Sequence, residues 1–168
     1  MNTELILQYL QDNNLKELHE ELCKINPVDI AELLSELDNK NTVIVFRLLD
    51  KELAADIFSY MDNEQRHELI ESFTQSEIIG LINSMYADDA VDFLADIPAN
   101  VVTYILDNAD REVRQDINKL LQYSDDSVGS IMTVEFVELD KNMDVKQALE
   151  KIRKVGIDSE TVYTCYVI

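Results

Sequence analysis

Three aspartates, Asp88, Asp92 and Asp96, recur at every fourth residue of the stretch MYADDAVDFLADIP, and Asp89 stands beside the first of them. On a helix this spacing puts them on one stripe, where each i,i+4 pair of like charges costs a few tenths of a kcal/mol. Such a stripe is either a solvated face or a surface meant to meet a cation. No EF-hand loop pattern is present, so a calcium cage built from one segment is excluded. Magnesium fits better, because it keeps most of its waters and is commonly held by one or two carboxylates.

Other chemistries find little support. His19 and His67 have no matching Ser or Cys partner motif, and HELIE at His67 lacks the second histidine of a zinc-protease signature. Gly80, Gly129 and Gly156 are isolated, so no phosphate-cradling loop exists. Cys23 and Cys165 lie far apart, with no CxxC and no Cys/His cluster, which indicates neither a disulfide framework nor a zinc site. The expectation is a protein that is not an enzyme, in reducing intracellular surroundings.

Across 168 residues, 34 Asp and Glu face 14 Lys and Arg, for a formal charge of -20. That sign argues against nucleic acid and anionic lipid surfaces, which need clustered basic residues, and leaves cations and basic proteins as partners. The N-terminus has no basic region followed by an apolar one, so it does not read as a signal peptide. No apolar run approaches the roughly 18 to 20 residues of a membrane span. The chain is expected to be soluble.

The elements that position the acids follow a fixed period. From Pro27 the chain divides into eight units of twelve residues without insertion or deletion, from PVDIAELLSELD through ADDAVDFLADIP to REVRQDINKLLQ. The seventh position is always apolar, from Leu33 through Ile57 and Phe93 to Ile117; the eighth is apolar except at Asn118, and the eleventh runs from Leu37 to Leu121. These three positions form one stripe of an α-helix. The twelfth position is Asp38, Asp50, Asp62, Thr74 or Asp110 in five units, residues that cap a following helix. Helices this short are marginal alone, so they must stack, two per hairpin, into a right-handed-type α-helical superhelix. Residues 3–23, with Leu7, Leu10, Leu15, Leu18 and Leu22, cap its N-terminal end. Asp88 and Asp92 occupy positions two and six of their unit, where the third unit carries Glu52 and Asp56. Spacing alone leaves open whether Asp56 and Asp92 converge.

Beyond Tyr123 the composition changes. SDDSVGS is turn-forming, VEFVEL alternates as a strand, a helix runs from Asp144 to Gly156, and TVYTCYVI is β-rich. A single β-α-β unit ending on a fresh strand reads as an unfinished domain. The fold class expected is mainly α, a superhelix of about twelve-residue repeats over 1–126, followed by an incomplete α/β domain over 127–168.

The segments DDAVDFLADIP and SVGSIMTVEFV, the Tyr-Ser-Asp-Asp run and VKQALEKIR resemble the cytosolic start of the MgtE family of magnesium channels and transporters. The resemblance covers about residues 20–168 and implies an acidic helical N domain followed by the first part of a cystathionine-β-synthase (CBS) domain. It further implies a membrane domain in cis, homodimerisation through the CBS domains, and placement at the cytoplasmic face of the cell membrane. Mg2+ would bridge acidic residues of the helical and CBS domains and hold the closed state. Carried over by position, the metal ligands are Asp56, Asp88, Asp92 and the backbone of Gly129. Two positions depart from the family pattern, with Ala87 where Pro is common and Asp56 where Glu is common. The alternative is a helical-repeat adaptor whose acids only solubilise it, joined to a CBS-type adenine-nucleotide module without a metal role.

Overall fold

The computed structural model describes residues 2–124, 126–156 and 159–168, so Asp125 of the Tyr-Ser-Asp-Asp run lies outside the described residues. The repeat boundaries become helix boundaries. After α1 (Thr3–Gln11) and α2 (Leu15–Leu22), each twelve-residue unit opens a helix at its first position: α3 (Pro27–Ser35), α4 (Asn39–Phe46), α5 (Lys51–Tyr60), α6 (Asn63–Glu71), α7 (Gln75–Ile82), α8 (Ala87–Ala95), α9 (Ala99–Asn108) and α10 (Arg111–Leu120). Capping explains several of these starts. Asp38 accepts the Asn41 N–H at 2.9 Å and Asp62 the Gln65 N–H at 2.9 Å. Thr74 Oγ1 accepts the Glu77 N–H at 3.3 Å, and Glu77 returns the bond to the Thr74 N–H at 2.7 Å. Asp50 and Asp110 stand at the same position but make no side-chain cap bond, contrary to expectation.

The chain forms two compact units, Met1–Met85 with Thr103–Ala109, and Tyr86–Val102 with Asp110–Ile168. In the first, α3 packs on α5, α5 on α7, and α4 on α6, so alternate helices stack as hairpin repeats require. The seventh and eighth positions supply the core: Val45, Ile57 and Phe58 are fully buried, and Phe46 meets Phe58 edge-on with ring centroids 6.3 Å apart. The fourth position is buried too, at Ile30, Thr42, Ala54 and Ile78. Thr42 is tolerated there because its hydroxyl donates to the carbonyls of Asp38 and Leu34, at 3.1 and 3.3 Å. At the N-terminal end Ile6, Leu18 and Leu22 are the buried residues, whereas Leu7, Leu10 and Leu15 are only partly covered. Asn13, with φ of 52°, turns the chain between α1 and α2.

A bidentate pair ties α4 to α7. Arg47 Nε donates to Glu77 Oε1 at 2.8 Å, and Nη2 reaches the Ser72 carbonyl at 3.1 Å. Arg47 sits at the C-terminal end of α4 and Glu77 in the first turn of α7, so each charge also favours its helix dipole. The guanidinium, then the Thr74 N–H, hold the Glu77 carboxyl down to about 2 from an ordinary 4.5. A depressed acid stabilises the fold above its unfolded value and loses that contribution as pH falls through the folded one. Arg47→Met is therefore expected to lower the melting temperature at pH 7, with the difference from the parent closing between pH 4.5 and about 2. A difference unchanged over that range would assign the loss to packing of the arginine stem.

In the second unit α8 packs on α10. The stripe ends one residue early: Leu120 is buried while Leu121, just past the end of α10, is 48% exposed. A 3-10 turn at Val128–Ile131 leads to β1 (Phe136–Leu139), α11 (Val145–Val155) and β2 (Thr161–Val167), with the strands parallel. Asp144 and Gln147 close a capping box at the start of α11, and Gly156 ends it. Val137 is fully buried, but Val145, Leu149, Tyr163 and Val167 are exposed. The fold is mainly helical with a small two-stranded sheet, and among the described residues no helix is long and apolar enough to cross a membrane.

Candidate metal centre

The acidic stripe belongs to α8, whose N-terminus is built differently from its neighbours. Tyr86 at the N-cap offers no side-chain cap. Glu135, from the segment entering β1, fills that role: its Oε1 accepts the Ala87 N–H at 2.9 Å. Glu135 Oε2 is steadied by the Thr133 hydroxyl at 3.1 Å and the Val134 N–H at 3.2 Å. The Glu135 carbonyl also accepts the Glu160 N–H at 3.1 Å, which ties a further acid to the same segment. Ala87, Ala90, Phe93 and Leu94 are buried, so the apolar face of α8 is core.

Asp88 is the anomalous residue. It is half-buried, and its Oδ1 is buried without a hydrogen-bond partner among the described residues. Burial first, then the negative charges of Glu160 and Asp89, push its carboxyl up to about 6 from an ordinary 3.8, against the pull of backbone N–H groups at Asp88 and Asp89. None of the described groups that shift it is positively charged. A buried carboxylate oxygen left unpaired among acids is destabilising unless it is protonated or meets a cation.

Asp92 lies one turn further along α8 and is exposed; Asp96, also exposed, is at the C-cap. Asp56 is exposed on α5, in the first unit. Gly129 sits in the 3-10 turn with its backbone against the Tyr123 ring, where a Cβ would come within 2.2 to 2.6 Å of three ring carbons. Gly129→Ala is expected to force Tyr123 out of place, costing about 1 to 3 kcal/mol as overpacking does. A denaturant melt of that variant matching the parent would show that the ring swings freely. Ser127, two residues earlier, holds a second buried oxygen without a partner among the described residues.

Sequence reasoning missed Glu135 and Glu160, because nothing local in a strand entry marks a residue that caps or charges a distant helix. It also expected no Cys/His cluster. The structure corrects this, since His19, Cys23 and Asp50 place ligand atoms within 4.8 Å of one another.

Residues 25–126 match the family model described as the MgtE intracellular N domain. The chain is 28% identical to the magnesium transporter MgtE of Thermus thermophilus over 95% of its own length, and 27% identical to that of Enterococcus faecalis over 98%. It spans only 36% and 37% of those proteins. Its fold matches the crystal structure of the soluble part of a magnesium transporter with a TM-score of 0.91 at 26% identity, covering 99% of this chain and 66% of that one. It also matches the cytosolic domain of the Mg2+ channel MgtE in complex with ATP, with a TM-score of 0.85 at 27% identity, covering 99% of this chain and 68% of that one. With the family model spanning well over half of its residues, the chain belongs to the MgtE family through its intracellular N domain.

Proposed function

We propose that this chain is the intracellular magnesium-sensing and gating region of an MgtE-type magnesium transporter or channel. Asp88 carries the reading: a half-buried carboxylate with an unpartnered buried oxygen, made basic by burial and by Glu160. Mg2+ would supply compact positive charge while keeping most of its waters. Asp88 and Asp92 would hold it from α8 and the Gly129 carbonyl from the 3-10 turn, whereas Asp56 enters on the family resemblance alone. Without the ion, Asp88, Asp89 and Glu160 repel. Sensing then needs tighter binding by the closed arrangement than by the open one.

The helical N domain would occupy 1–126 and the first part of a CBS domain 127–168. Exposed apolar side chains on α11 and β2 support a β-α-β unit made to pack against further CBS elements. Transport itself would belong to a membrane domain in cis, in a homodimer joined through the CBS domains. The test is a thermal melt of the chain extended through the CBS pair, in MgCl2 against NaCl at matched ionic strength. A specific site stabilises by RT ln(1 + [L]/Kd). The expected result is a magnesium-specific rise that is reduced by combining Asp88→Ala with Asp92→Ala, and weaker in the present chain. Equal shifts in the two salts would end the proposal.

A further inference from the structure

Away from α8, three chemically different ligands converge where α2 ends and α5 begins. His19 is in the last turn of α2, Cys23 is its C-cap, and Asp50 is the N-cap of α5. Cys23 Sγ lies 3.5 Å from His19 Nε2, and Asp50 Oδ2 lies 3.5 Å from the same nitrogen. Tetrahedral zinc, with Zn–S of about 2.3 Å and Zn–N and Zn–O of about 2.0 to 2.1 Å, requires S···N near 3.5 Å and N···O near 3.3 Å. The two separations meet that geometry with little movement. The His–Cys part follows from i,i+4 spacing at the end of α2; the third ligand comes from the start of α5.

Asp50 is also disposed unlike the capping residues of its series. Asp38, Asp62 and Thr74 turn their side chains onto the N–H groups of the helices they start. Asp50 makes no such bond and faces His19 instead. Asp110 likewise leaves its helix uncapped, so the lack of a cap is not the argument; its coincidence with a histidine and a thiol is. Magnesium disfavours thiolate and imidazole, whereas zinc and its neighbours accept a mixed S, N, O set.

We propose that His19, Cys23 and Asp50 form a site for a borderline-soft divalent transition metal of the zinc type, with a fourth position left to water. The metal takes the thiolate of Cys23, the neutral imidazole through Nε2 and one carboxylate oxygen, and the thiol proton leaves to solvent. It clamps the end of α2 to the start of α5. The site is independent of Asp88 and of magnesium.

The experiment uses the whole chain, stripped of metal and kept reduced with a phosphine, and titrated with Co2+ as an optical probe and then with Zn2+. One equivalent of Co2+ is expected to give a thiolate-to-cobalt charge-transfer band that Zn2+ removes and excess Mg2+ does not. Cys23→Ser should abolish the band, while Cys165→Ser, which changes the other thiol, should leave it intact. His19→Gln and Asp50→Asn should each weaken Co2+ binding by roughly tenfold or more, a loss of one ligand bond's worth of affinity. Because Asp50 does not cap α5 and Cys23 is exposed, folding of these variants should match the parent by circular dichroism. The absence of a band at millimolar Co2+, a band that survives Cys23→Ser, or Asp50→Asn binding as tightly as the parent would overturn the site.

Discussion

Phe58→Ala is expected to destabilise the first unit by about 3 to 5 kcal/mol, a large share of the roughly 5 to 15 kcal/mol that holds a typical domain folded. Phe58 is fully buried at the eighth repeat position, and its ring meets that of Phe46, whose own ring lies 5.5 Å from Phe73. Removing it opens a cavity where α5 meets α4, helices that are too short to persist alone. Collapse around that cavity would need each of them to shift against its stacked neighbour. Tyr60→Ala, on the same helix but 59% exposed, should change stability by no more than about 0.5 kcal/mol. Urea melts followed by far-ultraviolet circular dichroism distinguish the pair. If the two variants lost equal stability, burial at the eighth position would not be what holds the repeats together.

That stripe was legible because its signal is periodic. Residues at positions seven and eight of a twelve-residue unit are apolar so regularly that helix starts fall on the first position of each unit throughout. Position four escaped notice because Thr42, Ala54 and Ala90 are small or polar, and become core only when a neighbouring helix closes over them. Capping was half legible: residue type marks Asp38 and Asp62 correctly, but type cannot say that Asp50 turns toward a histidine. The candidate site shows the same limit. Spacing put Asp88 and Asp92 on one stripe as equals, yet one is half-buried and the other exposed. The difference is made by the segment carrying Glu135, which seats itself on the first turn of α8 and brings Glu160 with it. No local pattern encodes a contact between parts of the chain so far apart in sequence.

Asp88→Asn should make the protein more stable than its parent in magnesium-free buffer at pH 8, and remove the magnesium response of the α8 site. The Asp88 carboxyl titrates at about 6 when folded against an ordinary 3.8. Below the ordinary value it is protonated in both states, and the two proteins should melt alike. Between 3.8 and about 6 the folded state binds the proton more readily, so the parent loses stability as pH rises, and above about 6 the penalty is complete. The amide keeps the shape of the carboxyl and carries no charge to desolvate or to repel Glu160. Since the group is only half-buried, solvent screening reduces the expected gain to about 1 kcal/mol, or roughly 2 to 4 °C in melting temperature. Adding Mg2+ should then raise the parent and leave the variant nearly unmoved, narrowing or reversing the gap, because the amide offers one weak acceptor where the carboxylate offers a full charge. A gap that stays constant from pH 4 to pH 8 would mean that the Asp88 charge is not what strains this helix, and the sensing proposal would lose its main support. A gap that opens with pH but ignores Mg2+ would leave the strain real and assign its relief to a proton or to another cation.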